Sequence, residues 1–194
     1  QTDDNTAVAM VTEEDGFVYA KVMGFIPTDK TAIKTQKEHV DYQRLINKGE
    51  CIACGEEVID YSVVEDYVTH ALEERYGVTV EQVGYDRYNA ISSVQKMEAE
   101  GLECVEIKQH SSVLHQPTKW LKEVILQQHF RYEENRLLEI NFQNARCTED
   151  TNLNKYVNKK KSTGKVDEVV ALINAMYLLQ QDLLNDDSFV AQTA

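Results

Sequence analysis

The sequence predicts an α/β protein, a mixed β-sheet flanked by helices, and three observations carry that reading. Two β-rich runs, Thr6–Val11 and Phe17–Phe25, are joined through the polar turn Glu13-Glu14-Asp15-Gly16, which reads as a hairpin. Beyond it, single short strands alternate with helical stripes, the order that crossover helices between parallel strands produce. The chain then closes on a long helix with an apolar stripe, Val166–Leu184.

Each element has its own signal. Pro27 ends the second strand, and the polar stretch Asp29–Asn47 reads as a loop with a short helix over Asp41–Lys48. Ser62 and Glu65 form a capping-box pattern ahead of the stripe Val63, Val64, Tyr67, Val68, Ala71 and Leu72, and Gly77 suits the left-handed position that stops this helix. Val80–Tyr85 reads as a strand. Asn89–Glu100 follows as a helix, with Ala90, Ile91, Val94 and Met97 inward and Gly101 as its stop. Cys104–Ile107 is a further strand. Pro117 suits the first turn of a helix to about Gln128, striped by Trp120, Leu121, Val124 and Ile125. Leu137–Phe142 reads as another strand and Asn144–Lys161 as a polar loop. The closing helix turns Val166, Val169, Val170, Ile173, Met176 and Tyr177 inward, with Asp167, Ala171 and Asn174 on an adjoining face. The tail beyond Asn185 is polar.

The 194 residues make one domain, with the hydrophobic content of 42% and charged content of 27% usual for a globular protein. No apolar run approaches membrane-spanning length, and no basic-then-apolar leader is present. A first residue of Gln reads as the start of an excised piece of a longer protein. The net charge of −13 argues against nucleic-acid binding over the whole surface, yet Lys155, Lys159, Lys160, Lys161 and Lys165 gather in one stretch, so a local basic patch on an acidic body remains open. Among Cys51, Cys54, Cys104 and Cys147 only the first two make a CxxC, and no second ligand pair completes a zinc site, so they read as ordinary thiols. There is no GxxxxGK[ST] phosphate loop, no GxSxG elbow and no paired-histidine spacing.

Two acids stand out. Asp86 follows a strand and precedes a helix, where α/β sheets gather their chemistry, although Asp is also a common helix cap. Asp167 opens the closing helix behind a run of lysines, where the helix dipole alone would favour an acid. Carboxylates that converge from distant segments could hold divalent cations for phosphodiester hydrolysis, and hard oxygen ligands select Mg²⁺ or Mn²⁺ over zinc. Lysines beside them would neutralise backbone phosphates, although a lysine run is more often a solvated loop.

The strings GYDRYNA (Gly84–Ala90), QHSSVLHQPTKWL (Gln109–Leu121) and NKKKSTGKVDEVVALINA (Asn158–Ala175) together resemble the nuclease domain of tailed-phage terminase large subunits. TDDNTAVAMV (Thr2–Val11), FIP (Phe25–Pro27) and DYQRLINKGECIACGEEVIDYSVVEDYV (Asp41–Val68) fit the same family in the same order. The resemblance implies a ribonuclease-H-like fold and a metal-dependent endonuclease that cuts concatemeric double-stranded viral DNA with Mg²⁺ or Mn²⁺, two ions in all. It implies metal ligation by Asp86 and Asp167, and DNA contact by Lys159, Lys160, Lys161 and Lys165. The family's first acid lies on an opening strand that this chain starts too late to include; Asp4 matches a later acid and is the weakest metal candidate. Glu168 replaces a usual Gly and would add either a carboxylate beside the site or a helix-start charge. The implied partners are double-stranded DNA, an upstream ATPase domain of the same protein, the terminase small subunit and the portal, in the cytoplasm of a bacterial host. Two alternatives remain: an inactive prophage remnant or docking module of the same fold, and a ribonuclease-H-like recombinase or transposase domain.

Overall fold

In the computed structural model, residues 5–192 are described, the side chains of 88, 89 and 187–192 apart. Strands β1 (Thr6–Glu14) and β2 (Phe17–Ile26) form the expected hairpin, with Thr6 opposite Phe25 and Glu14 opposite Phe17. The other edge of β2 takes two short parallel strands. β3 (Cys51–Ala53) pairs at Gly24–Ile26 and β6 (Phe130–Tyr132) at Val18–Ala20. A separate parallel pair joins β4 (Gln82–Tyr85) to β5 (Glu103–Glu106), and β7 (Cys147–Glu149) with β8 (Lys155–Val157) makes a small antiparallel hairpin. Among the described residues the outer edge of β1 has no strand partner.

Helices cover both faces of the main sheet. The closing helix α8 (Asp167–Gln192) and α6 (Ser111–Leu126) lie on one face, where Val169, Leu172, Ile173 and Met176 meet Leu121, Val124, Val18 and Val22. On the other face, Met23 and Phe25 pack with Ile59, Tyr67 and Leu72. Tyr67 and Leu72 belong to a helical run that opens as α3 (Tyr61–Asp66), passes through a π turn at Tyr67–Ala71 and continues as α4 (Leu72–Tyr76). Helix α5 (Arg87–Ala99) buries Val94 and Met97 against Val68, with Val83 and Tyr85 of β4 alongside.

Several expectations need correction. Leu137–Phe142 is not a strand but part of helix α7 (Arg136–Asn144), whose buried Leu137, Leu138 and Asn141 follow helical spacing. Asp29–Asn47 holds two helices, α1 (Thr31–Glu38) and α2 (Tyr42–Asn47), rather than one. Asp60, not Ser62, caps α3 by accepting from the Ser62 amide; Glu65 instead accepts from Ser93 Oγ and Lys96 Nζ on α5. Ile91, expected inward, is 59% exposed. Helix α6 begins at Ser111, capped by His110, so Pro117 sits inside it and not in its first turn. The expected loop Asn144–Lys161 contains the β7–β8 hairpin.

A buried asparagine ties α7 to the sheet. Asn135 Nδ2 donates to the Val22 carbonyl at 2.9 Å, while its Oδ1 accepts from the Leu138 amide at 2.8 Å. Asn135→Ala removes a helix cap and leaves a buried carbonyl without a donor. The expected loss is about 2 kcal/mol of unfolding free energy in urea titration.

Candidate active site

Two glycines mark how α8 crosses the sheet. A Cβ on Gly24, opposite Ala7 in the hairpin, would lie 2.8 Å from Glu168 Oε1, and one on Gly84 would lie 2.9 Å from Leu178 Cδ1. The helix therefore starts over the carboxyl end of β2 and runs across to β4. Between these points Asn174 Oδ1 accepts from Gln109 Nε2 at 3.0 Å, just beyond the carboxyl end of β5. The carboxyl ends of β2, β4 and β5 thus share one side of the molecule. Asp86 directly follows β4 on that side, and Asp167 is the first residue of α8, about two turns before Asn174.

Asp86, Asp167 and Lys159 line one cleft of about 1080 Å³, together with Gln109, Ala171 and Asn174. Asp86 is half-buried. The Asp167 side chain is 15% exposed, and Lys159 Nζ lies 3.4 Å from its Oδ1. This lysine, itself exposed, stands on a turn whose two ends three asparagines hold in place. Asn158 Oδ1 accepts from the Lys160 and Lys161 amides, Asn144 Nδ2 donates to the Lys165 carbonyl, and Asn141 Oδ1 accepts from the Glu168 amide. Lys160 and Lys161 are exposed on this turn, and Lys165 is half-buried beside the start of α8. Asp4 lies outside the described residues.

Glu168 takes no place in the cleft. It is 2% exposed, packed under the sheet against Gly24. Burial, reinforced by the charges of Glu50 and Asp167, pushes its carboxyl up to about 8. Cys51 and Cys54 are buried and free, and burial, with Glu168 nearby, pushes Cys51 up to about 12. His110 caps α6, and His115 Nδ1 accepts from the Lys155 amide.

In donor chemistry the two carboxylates fit a hard divalent cation. In number they fall short, because no group of three or more His, Cys, Asp or Glu placed to hold a metal occurs among the described residues. The residues that sequence reasoning missed are Gln109, which lay unremarked in a quoted string, and Asn141, Asn144 and Asn158, whose only signal was the polar, turn-favouring character of Asn.

The mixed sheet with helices on both faces is that of a ribonuclease-H-like domain. The chain belongs to the endonuclease-domain family of terminase large subunits, whose family model matches residues 1–182. Among solved structures, the HK97 bacteriophage large terminase aligns with a TM-score of 0.77 at 17% identity, covering 92% of this chain and 40% of that one. The large terminase nuclease from thermophilic phage G20c aligns with a TM-score of 0.50, also at 17% identity, covering 89% of this chain and 81% of that one. This chain therefore spans less than half of the HK97 protein it resembles. A comparison with curated protein sequences finds no significant match. Among the described residues, no helix is long and apolar enough to cross a membrane.

Proposed function

We propose that this domain is a divalent-metal-dependent endonuclease that cuts concatemeric double-stranded viral DNA during packaging. The observation that supports it most is that Asp86 and Asp167 line the same cleft, with Lys159 Nζ 3.4 Å from Asp167 Oδ1. Asp86 and Asp167 would hold Mg²⁺ or Mn²⁺, joined by an acid from outside the described residues. When bound, such ions activate water and stabilise the leaving oxygen of an in-line displacement. The chain's own residues do the positioning. The amino end of α8 and the end of β4 fix the carboxylates, and the asparagine-pinned turn presents Lys159, Lys160 and Lys161, with Lys165 alongside, to the phosphates flanking the cut. The upstream ATPase domain, small subunit, portal and bacterial cytoplasm belong to the same proposal.

The test is supercoiled-plasmid cleavage with Mn²⁺, Mg²⁺ or EDTA, by residues 1–194 and by a polypeptide extended upstream. Nicking by the extended form that EDTA abolishes is the expected result. A folded extended form that leaves the plasmid intact would favour the inactive docking module.

Lys159 gives a separate check. Lys159→Ala is expected to weaken duplex binding about 3- to 10-fold and to lower the slope of log affinity against log salt by roughly one. A salt slope equal to that of the unsubstituted protein would place Lys159 in an intramolecular ion pair alone.

A further inference from the structure

Gln109 and Asn174 meet in the cleft that Asp86 and Asp167 line, and their hydrogen bonds leave one donor over. Gln109 Nε2 donates to the Ile107 carbonyl at 3.1 Å and to Asn174 Oδ1 at 3.0 Å. A carbonyl only accepts, so the Ile107 contact fixes which end of the Gln109 amide is the nitrogen. The Asn174 atom facing that nitrogen is then its oxygen. Both N–H bonds of Gln109 are spent, while Asn174 Nδ2 has no partner among the described residues. Asn174 stands seven residues beyond Asp167 on α8. Seven residues are nearly two full turns, so both side chains leave one face of the helix, about 10 Å apart along its axis. Ala171 lies between them on that face, and its single methyl group leaves the gap open. Positive charge flanks both ends. Lys159 accompanies Asp167, and Lys108, next to Gln109, is exposed with no ion pair among the described residues.

We propose that Asn174 is a backbone-binding residue, donating Nδ2–H to a phosphate oxygen of the duplex a few nucleotides from the cut, and that Gln109 is the positioning residue that aims it. The inference rests on the nuclease reading above, which puts DNA in this cleft. A separation of about 10 Å is the rise of about three base pairs, so a duplex whose cut phosphate lies at Asp167 has further phosphates within reach of Asn174. Side-chain amides are regular donors to phosphate oxygens. Reading a base would ask one amide for a donor and an acceptor together. Asn174 offers only the donor, because its Oδ1 is turned to Gln109. Gln109 thereby keeps the amide from flipping and presenting its oxygen to an anion.

Fluorescence anisotropy of a labelled duplex tests the inference, with the upstream-extended polypeptide in Ca²⁺, a hard cation that fills oxygen sites. Asn174→Ala is expected to weaken binding about 10-fold, the worth of a hydrogen bond to a charged group. Gln109→Ala breaks the same contact between the two side chains but keeps the donor. Asn174 is then free to flip, presents the donor about half of the time, and binding falls by only about 2-fold. Asn174→Asp still accepts from Gln109 and has lost the donor, so it should bind at least as weakly as the alanine variant. Equal losses in Asn174→Ala and Gln109→Ala would overturn the inference, because the pair would then serve only to tie α8 to the end of β5. Full affinity in Asn174→Asp would overturn it as well, and does so even where the alanine variant unfolds. The readout is binding, not cleavage. The expected ranking in a protein that cuts no DNA therefore counts against the nuclease alone, whereas an unsubstituted protein that binds no duplex overturns both.

Discussion

Replacing Asp167 by alanine in the upstream-extended polypeptide is expected to lower Mn²⁺-dependent plasmid cleavage by about 10³-fold or more, the equivalent of roughly 4 kcal/mol in the barrier. Asp86→Ala should do the same. The competing explanation for both acids is architectural. Asp167 lies in the first turn of α8 and Asp86 immediately before α5, where a carboxylate stabilises a helix by about 0.3–1 kcal/mol through its dipole. The two roles differ in what asparagine can replace. Asn caps a helix nearly as well as Asp, so Asp167→Asn keeps shape and capping while deleting the charge a cation needs. We expect Asp167→Asn to unfold within about 1 kcal/mol of the unsubstituted protein, yet to cut as poorly as the alanine variant. Cleavage retained in Asp167→Asn would reduce Asp167 to a helix-start charge and sink the assignment of the site.

These acids were legible because each sat at a recognisable junction, Asp86 between a strand and a helix and Asp167 where lysines gave way to an apolar stripe. The opening hairpin was legible for a similar reason, since a polar turn with Gly16 separates two long β-rich runs. What failed was short or depended on tertiary partners. β3 and β6 have three residues each, too few for a period to show, and exist because β2 offers them an edge. In α7 the run Leu137–Phe142 looked strand-like by composition. Its inward Asn141 is satisfied only because the Leu137 carbonyl and the Glu168 amide are there to meet it. The direction of Glu168 was likewise invisible. Whether a carboxylate beside Asp167 faces solvent, cleft or core is decided by the rotation of α8 over Gly24, which no local pattern encodes.

Glu168 supplies the other large effect, and it concerns stability. Its carboxyl is raised in the folded protein to about 8 from an ordinary value of 4.5, chiefly by burial and then by Glu50 and Asp167. Between those pH values the unfolded chain has released this proton while the folded chain retains it. The unfolded state then binds fewer protons, so stability falls as pH rises through the window and levels off above it. At about 1.4 kcal/mol per pH unit, the loss across the window has an upper bound of roughly 5 kcal/mol. Glu168→Gln removes the titration and keeps the shape, but it buries an amide at an estimated cost of about 1–3 kcal/mol. The variant is therefore expected to be less stable than the unsubstituted protein at pH 5 and more stable at pH 8, by about 2 kcal/mol or more. Urea unfolding in EDTA at each pH reads the crossing directly, and parallel stability curves would show that Glu168 is ionised in the fold. Glu168 lies outside the cleft, buried against Gly24, so Glu168→Gln should cleave DNA as well as the unsubstituted protein, where Asp167→Asn does not.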